Sequence, residues 1–285
     1  MQTEKVAVII PFNGLSPETL YNSLKSVESQ SLSPERVVIV DNSAKECVDK
    51  FEISKFKLKI IVERISPNVG AGAARNFGAK VANHCDYYAF LDADDVWDSK
   101  KLEIQISTMQ KFSSTTSSTL FNFVKNDRTS LRPILISTSK SDDSNFLRCH
   151  LGLGSTLVIS SHVFNTLGGF DENLMRFEDW DFAIRHRLEF GPIYLCEHSL
   201  TSVNRIPNRN WTNAGSALTK IEHKYLNKLG ENNRAFRSGV AFERIVIAWR
   251  SRRLALVGIN LLQAVVLDKR QLRYIWELLR DTKKQ

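Results

Sequence analysis

The first hundred residues alternate between short apolar runs and longer stretches with helical spacing. Residues 5–12 (K-V-A-V-I-I-P-F) read as a buried strand stopped at Pro11, with Asn13-Gly14 as the turn after it. Ser16-Pro17-Glu18 opens a helix whose Leu20, Leu24 and Val27 share one face. Residues 36–40 are a second strand, ending at Asp41-Asn42-Ser43, and residues 57–63 are a third. A helix of small residues over 70–81 precedes a fourth strand, 87–91, and another helix follows over 100–110, for which Asp95, Asp98 and Ser99 compete as N-cap. This alternation predicts an α/β fold, a mostly parallel mixed sheet flanked by helices.

Beyond residue 112 the pattern loosens. A Ser/Thr-rich section, 113–144, holds one good strand (119–124) and a second at 133–136, read as edge strands and loops. Residues 152–160 read as a glycine turn into a strand, and 161–166 as a helix. After Gly168-Gly169-Phe170-Asp171 comes R-F-E-D-W-D-F-A-I-R-H-R-L, a helix with Phe182, Ile184 and Leu188 as its apolar face. From Phe236 onward the chain reads as helix. The expected organisation is a catalytic domain over 1–230, with halves 1–112 and 113–230, and a basic helical tail over 231–285.

Charge is placed unevenly. The chain carries +8 over 285 residues, and residues 236–285 hold eight Arg and three Lys against two Asp and two Glu. Those helices either rest on an anionic membrane surface or pack on the catalytic domain or a second subunit. No nucleic-acid reader motif accompanies the charge, so nucleic-acid binding is not expected. No stretch supplies the ~18 uninterrupted apolar residues of a membrane span. With neither a signal peptide nor paired cysteine spacing among the four cysteines, the expectation is a cytoplasmic protein, peripheral at most on the inner face of the cell membrane.

The chemistry gathers at Y-Y-A-F-L-D-A-D-D-V-W, residues 87–97, where an apolar strand stops at three carboxylates, Asp92, Asp94 and Asp95. Ligands of open α/β sheets collect at the carboxyl ends of strands. Alternation in extended chain would aim Asp92 and Asp94 the same way, and two such carboxylates repel unless a cation lies between them. Mg²⁺ or Mn²⁺, completed by phosphate oxygens, meets that need. Asp41 either accepts hydrogen bonds from a nucleoside or stabilises its own turn. Glu178, Asp179 and Asp181 crowd one helix N-terminus, where the dipole favours acids and where one can also serve as a general base. The glycines at 70 and 72 outline a dinucleotide fingerprint. Ser66-Pro67-Asn68-Val69 and Arg75 spoil it, although glycines before a helix plus an arginine suit phosphate.

Five segments taken in order resemble the family 2 glycosyltransferases of the GT-A fold: A-V-I-I-P-F-N (7–13), V-I-V-D-N-S (38–43), N-V-G-A-G-A-A-R-N (68–76), F-L-D-A-D-D-V-W (90–97) and G-G-F-D-E-N with E-D-W-D (168–181). The resemblance covers roughly residues 5–205 and implies an inverting transfer of sugar from a UDP- or other NDP-sugar to a saccharide or lipid-linked acceptor, in surface polysaccharide or glycolipid synthesis. It implies donor contacts at Pro11, Asp41, Arg75, Asp92 and Asp94, a divalent metal on Asp94 and Asp92, and Asp179 as catalytic base. Glu178 and Trp180 would contact or orient the acceptor. Relatives place an arginine and then a histidine after the acidic helix. Here Arg205 fits and no histidine follows, while His198 lies earlier. A nucleotide-sugar binding protein without transferase activity and a sugar nucleotidyltransferase are the alternatives.

Overall fold

The computed structural model describes residues 4–14, 16–44, 53–67, 69–125, 128–131, 153–204, 213–230, 233–251 and 253–267. Its centre is a sheet in which β1 (Val6–Phe12) lies between β2 (Arg36–Asp41) and β4 (Tyr87–Phe90), with β3 (Ile60–Arg64) at the edge, all four parallel. Both faces are covered. One face buries Ala7, Ile9, Val38, Val40, Tyr88 and Phe90 under α2 (Ala71–Val81). The other buries Val8, Ile10, Val37, Ile39 and Leu91 under α1 (Pro17–Glu28) and α3 (Lys101–Lys111). Strand side chains alternate between faces, so burial on both sides requires the near-continuous apolar runs seen in the sequence.

The second half of the sheet changes character. It adds β5 (Val96–Trp97), β6 (Thr116–Lys125), β7 (Arg128–Leu131), β8 (Val158–Ser160) and β9 (Tyr194–Asn204), giving the order β3-β2-β1-β4-β8-β6-β9-β5, with β7 paired to β6. β8 runs antiparallel to β4 and β6, while β6 and β9 are parallel. The strand expected over 119–124 is therefore an interior strand rather than an edge. The expected glycine turn at 152–160 contains a short helix, α4 (Leu153–Thr156), before β8. The strand expected at 133–136 falls outside the described residues, as do Arg205 and the chain beyond Leu267.

The next two helices join α2 on one face of the sheet, and the later ones pack outside them. α5 (Ser161–Thr166) leads into the glycine loop, and α6 (Glu178–Phe190) follows it. Phe182 and Ile184 are buried as expected, but Leu188 is 53 % exposed: the buried face runs through Trp180 and Asp181 instead. α7 (Ala214–Tyr225) and α8 (Asn233–Arg250) share one core with α6, made by Trp180, Ile184, Leu218, Ile221, Tyr225, Leu229, Phe236 and Val240. α9 (Leu254–Leu267) packs on α8, through Val257 and Leu261 against Ala241, Phe242 and Ile245. This mixed, Rossmann-like sheet with helices on both faces is the GT-A class of architecture.

Candidate active site

Three parallel neighbours end together. Phe12 on β1 pairs in register with Asp41 on β2, and Ile9 of β1 with Phe90 of β4, two residues before Asp92. Pro11, Asp41 and Asp92 therefore share one sheet edge. Asp41 is buried. Its carboxylate accepts from Ser43 N at 2.9 Å and Ser43 Oγ at 2.5 Å, which is the turn contact weighed from sequence, and from Arg64 Nη1 at 3.0 Å.

The three acids after β4 converge by a route other than extended alternation. Asp95 N donates to the Asp92 carbonyl at 3.0 Å, closing a turn that gathers one oxygen from each of Asp92, Asp94 and Asp95 within 4.8 Å of one another. Asp95 does not cap the following helix, whose N-cap is Lys100. Instead its carboxylate accepts from Ser155 Oγ at 2.5 Å and Asn204 N at 2.9 Å. Burial, then the charges of Asp92 and Asp94, push Asp95 well above the usual carboxylate range. Ser155 Oγ also accepts from Asp92 N at 2.9 Å, and the Asn204 amide donates to the Asp94 carbonyl. These two residues, from α4 and the end of β9, fix the acid turn, and the sequence reading missed both.

Arg75 joins the two halves of the site. Its side chain is 3 % exposed and lies above the Phe170 ring, with Nη2 2.6 Å from Asp92 and Nη1 2.9 Å from Glu178. Burial works against its charge, but Asp92 and Glu178 outweigh that and hold it fully protonated. A Cβ on Gly154 would stand 2.7 Å from Arg75 Nη2 and 2.9 Å from Asp92, so the backbone of α4 approaches as closely as only glycine allows. The next residue, Asn76, stitches α2 to the glycine loop: it accepts from Phe170 N at 2.8 Å and donates to the Phe170 carbonyl at 2.9 Å.

The acids opening α6 divide into separate tasks. Glu178 faces Arg75. Asp179 accepts from its neighbour's Trp180 N at 2.8 Å and is raised to about 6 by burial and then by the Glu178 charge, with Arg75 opposing. Asp181 is fully buried on the far side, accepting from Tyr225 Oη and Lys224 Nζ, each at 2.6 Å, and from Arg185 Nε at 2.8 Å. Phe177, just before them, has a left-handed backbone (φ 62°), which turns the chain sharply into the helix. Trp180 is 2 % exposed and packs on Phe236, which seats the helix. His198 is exposed on β9.

The sequence model of glycosyl transferase family 2 matches residues 7–167, and the chain belongs to that family. Its function is glycosyl transfer from a nucleotide-sugar donor. An uncharacterised glycosyltransferase of Rickettsia typhi is 27 % identical over 225 residues, covering 76 % of this chain and 68 % of that protein. WfgD of Escherichia coli, a UDP-Glc:α-D-GlcNAc-diphosphoundecaprenol β-1,3-glucosyltransferase, is 31 % identical over 109 residues, 37 % of this chain and 41 % of its own length. The structure of S. aureus TarS 1–349 in complex with UDP-GlcNAc superposes with a TM-score of 0.69 at 17 % identity, covering 92 % of this chain and 79 % of that one.

Proposed function

We propose that the chain is an inverting, metal-assisted glycosyltransferase with Asp179 as its base. The observation that carries this is the placement of Asp179: a carboxylate raised to about 6, adjoining a Glu178–Arg75–Asp92 chain that leads to the acid turn. A base with that affinity is deprotonated at neutral pH yet still takes a proton effectively. In the proposed reaction the acceptor hydroxyl oxygen attacks the anomeric carbon and its proton passes to Asp179. The bond from that carbon to the diphosphate oxygen breaks on the opposite face, which inverts the configuration.

Asp94 and Asp92 would hold the divalent metal. The donor set fits: hard carboxylate oxygens, gathered within 4.8 Å, in a turn where burial and then the Asp92 and Asp94 charges already raise Asp95. When bound, Mg²⁺ or Mn²⁺ supplies Lewis-acid charge to the departing diphosphate. Pro11 and Asp41 would border the base and ribose of the nucleotide. Glu178 would act on the acceptor side and keep Arg75 in place. A UDP-sugar donor is supported by the ligand of the TarS complex and by the donor of WfgD. The latter also supports a sugar on a lipid diphosphate as acceptor.

The test is a thermal-shift series of nucleoside diphosphates with and without Mn²⁺, followed by NMR of the product's anomeric centre. Stabilisation by one nucleotide only with metal present, and inversion at the anomeric carbon, are expected. Retention would remove Asp179 as the base of a single displacement. Metal-dependent binding with no transfer to any acceptor would favour a nucleotide-sugar binding protein.

A further inference from the structure

Among the described residues, α9 has a surface that the catalytic fold does not use. Its 14 residues carry no charged side chain. One side packs on α8, but on the rest of the helix Leu256, Leu262 and Val266 are 45 %, 71 % and 64 % exposed. Asn260 does not interrupt this surface, because its amide donates back to the Leu256 carbonyl at 2.6 Å. Exposed apolar side chains clustered on one helix mark a docking surface.

The ends of this helix are basic. At its C-terminus Arg234, itself exposed, donates through Nε to the Leu267 carbonyl at 2.8 Å and through Nη2 to the Val266 carbonyl at 3.1 Å. At its N-terminus stands the exposed Arg253. Among the described residues, Glu222 pairs with Arg244 and Glu243 is buried in α8. The chain after Leu267 adds six basic side chains against three acidic ones.

The geometry points to an anionic lipid surface as the occupant, with α9 lying in the plane of the headgroups, Leu256, Leu262 and Val266 among the acyl chains and the arginines on the lipid phosphates. At 14 residues the helix is about 21 Å long, short of the ~30 Å apolar core of a bilayer, and no helix among the described residues is long and apolar enough to cross one. A second copy of the chain fits less well. One short helix offers far less than the ~800 Å² per partner of a stable interface, and a twofold pairing brings basic ends towards each other. This deepens the proposed action on a lipid-linked acceptor, and its test measures binding rather than transfer, so the two readings fail separately.

Flotation of the full chain with phosphatidylcholine vesicles, and with the same vesicles containing phosphatidylglycerol, tests it. Binding only to the anionic vesicles, weakened by salt, is expected. Leu262→Glu with Val266→Glu should lower binding at least about tenfold, from the lost apolar insertion, while the melting temperature and transfer to a water-soluble acceptor stay unchanged. Arg253→Gln should weaken anionic selectivity and leave folding intact. Three results would overturn the proposal: no binding to either vesicle, equal binding by the Glu variant, or a concentration-dependent dimer that the Glu variant breaks.

Discussion

Arg75 and Glu178 stand 103 residues apart in the chain and 2.9 Å apart in space. The same guanidinium holds Asp92, so one cation neutralises an acid from each half of the site. Arg75→Ala leaves both carboxylates with the charge but not the partner, a change that costs about 3–5 kcal/mol when a buried pair is broken. The melting temperature should fall by roughly 10 °C. Arg75→Lys restores charge at a single point and cannot span both acids, so metal-dependent nucleotide binding should weaken by about tenfold in a titration.

The pH profile follows from Asp179. The proposed base must be deprotonated, so kcat should drop as pH falls through about 6. Glu178 is the larger of the charges raising that carboxyl, and Glu178→Gln should move the limb to lower pH. Arg75 opposes it, so Arg75→Lys, if its charge sits farther away, should move the limb the other way. A limb that ignores both substitutions would assign the titration to another group.

Asp179 also carries a stability cost. Its folded-state affinity for a proton exceeds the ordinary value of 3.8, so the folded chain binds protons more readily than the unfolded one between about 4 and 6. Stability therefore declines as pH rises through that window, and the full cost remains above it. Asp179→Asn should reduce kcat by about 10²–10⁴. It should also raise the melting temperature by a few degrees at pH 7.5 and leave it unchanged near pH 3.5. A melting temperature that drops at both pH values would mean the carboxylate is structural.

Gly154→Ala is a steric test of the same site. The new methyl would press on Arg75 and Asp92, and metal-dependent nucleotide stabilisation should be lost. Gly215→Ala on α7 is the control: nothing lies within 4 Å of its added Cβ, and about 0.4–1 kcal/mol of added stability is expected from the stiffer unfolded chain.

The first half of this fold was legible because a parallel sheet buried on both faces must write apolar runs, and strand ends must stop in turns. The site was legible in part for the same reason: Asp41, Asp92 and Asp94 stand where strands end. What the sequence could not distinguish was the division of labour among clustered acids. Glu178, Asp179 and Asp181 look alike as helix-opening carboxylates, yet one meets Arg75, one lies raised at the site and one is locked under Tyr225 and Lys224. Asp95 read as a cap because a helix follows. Ser155 and Asn204, its actual partners, are 60 and 109 residues away, and no local pattern announces them. Trp180 sat inside the acidic motif, and only the arrival of α8 reveals which way it faces.

The contact between Trp180 and Phe236 bears on how this protein can be dissected. Trp180 lies one residue from the proposed base, and Phe236 lies beyond the expected end of the catalytic domain at residue 230. A gene shortened there would produce a chain whose α6 has lost its backing. The smallest piece worth expressing for crystallography or directed evolution therefore runs through α8, and libraries meant to alter acceptor preference should leave Phe236 and Val240 untouched.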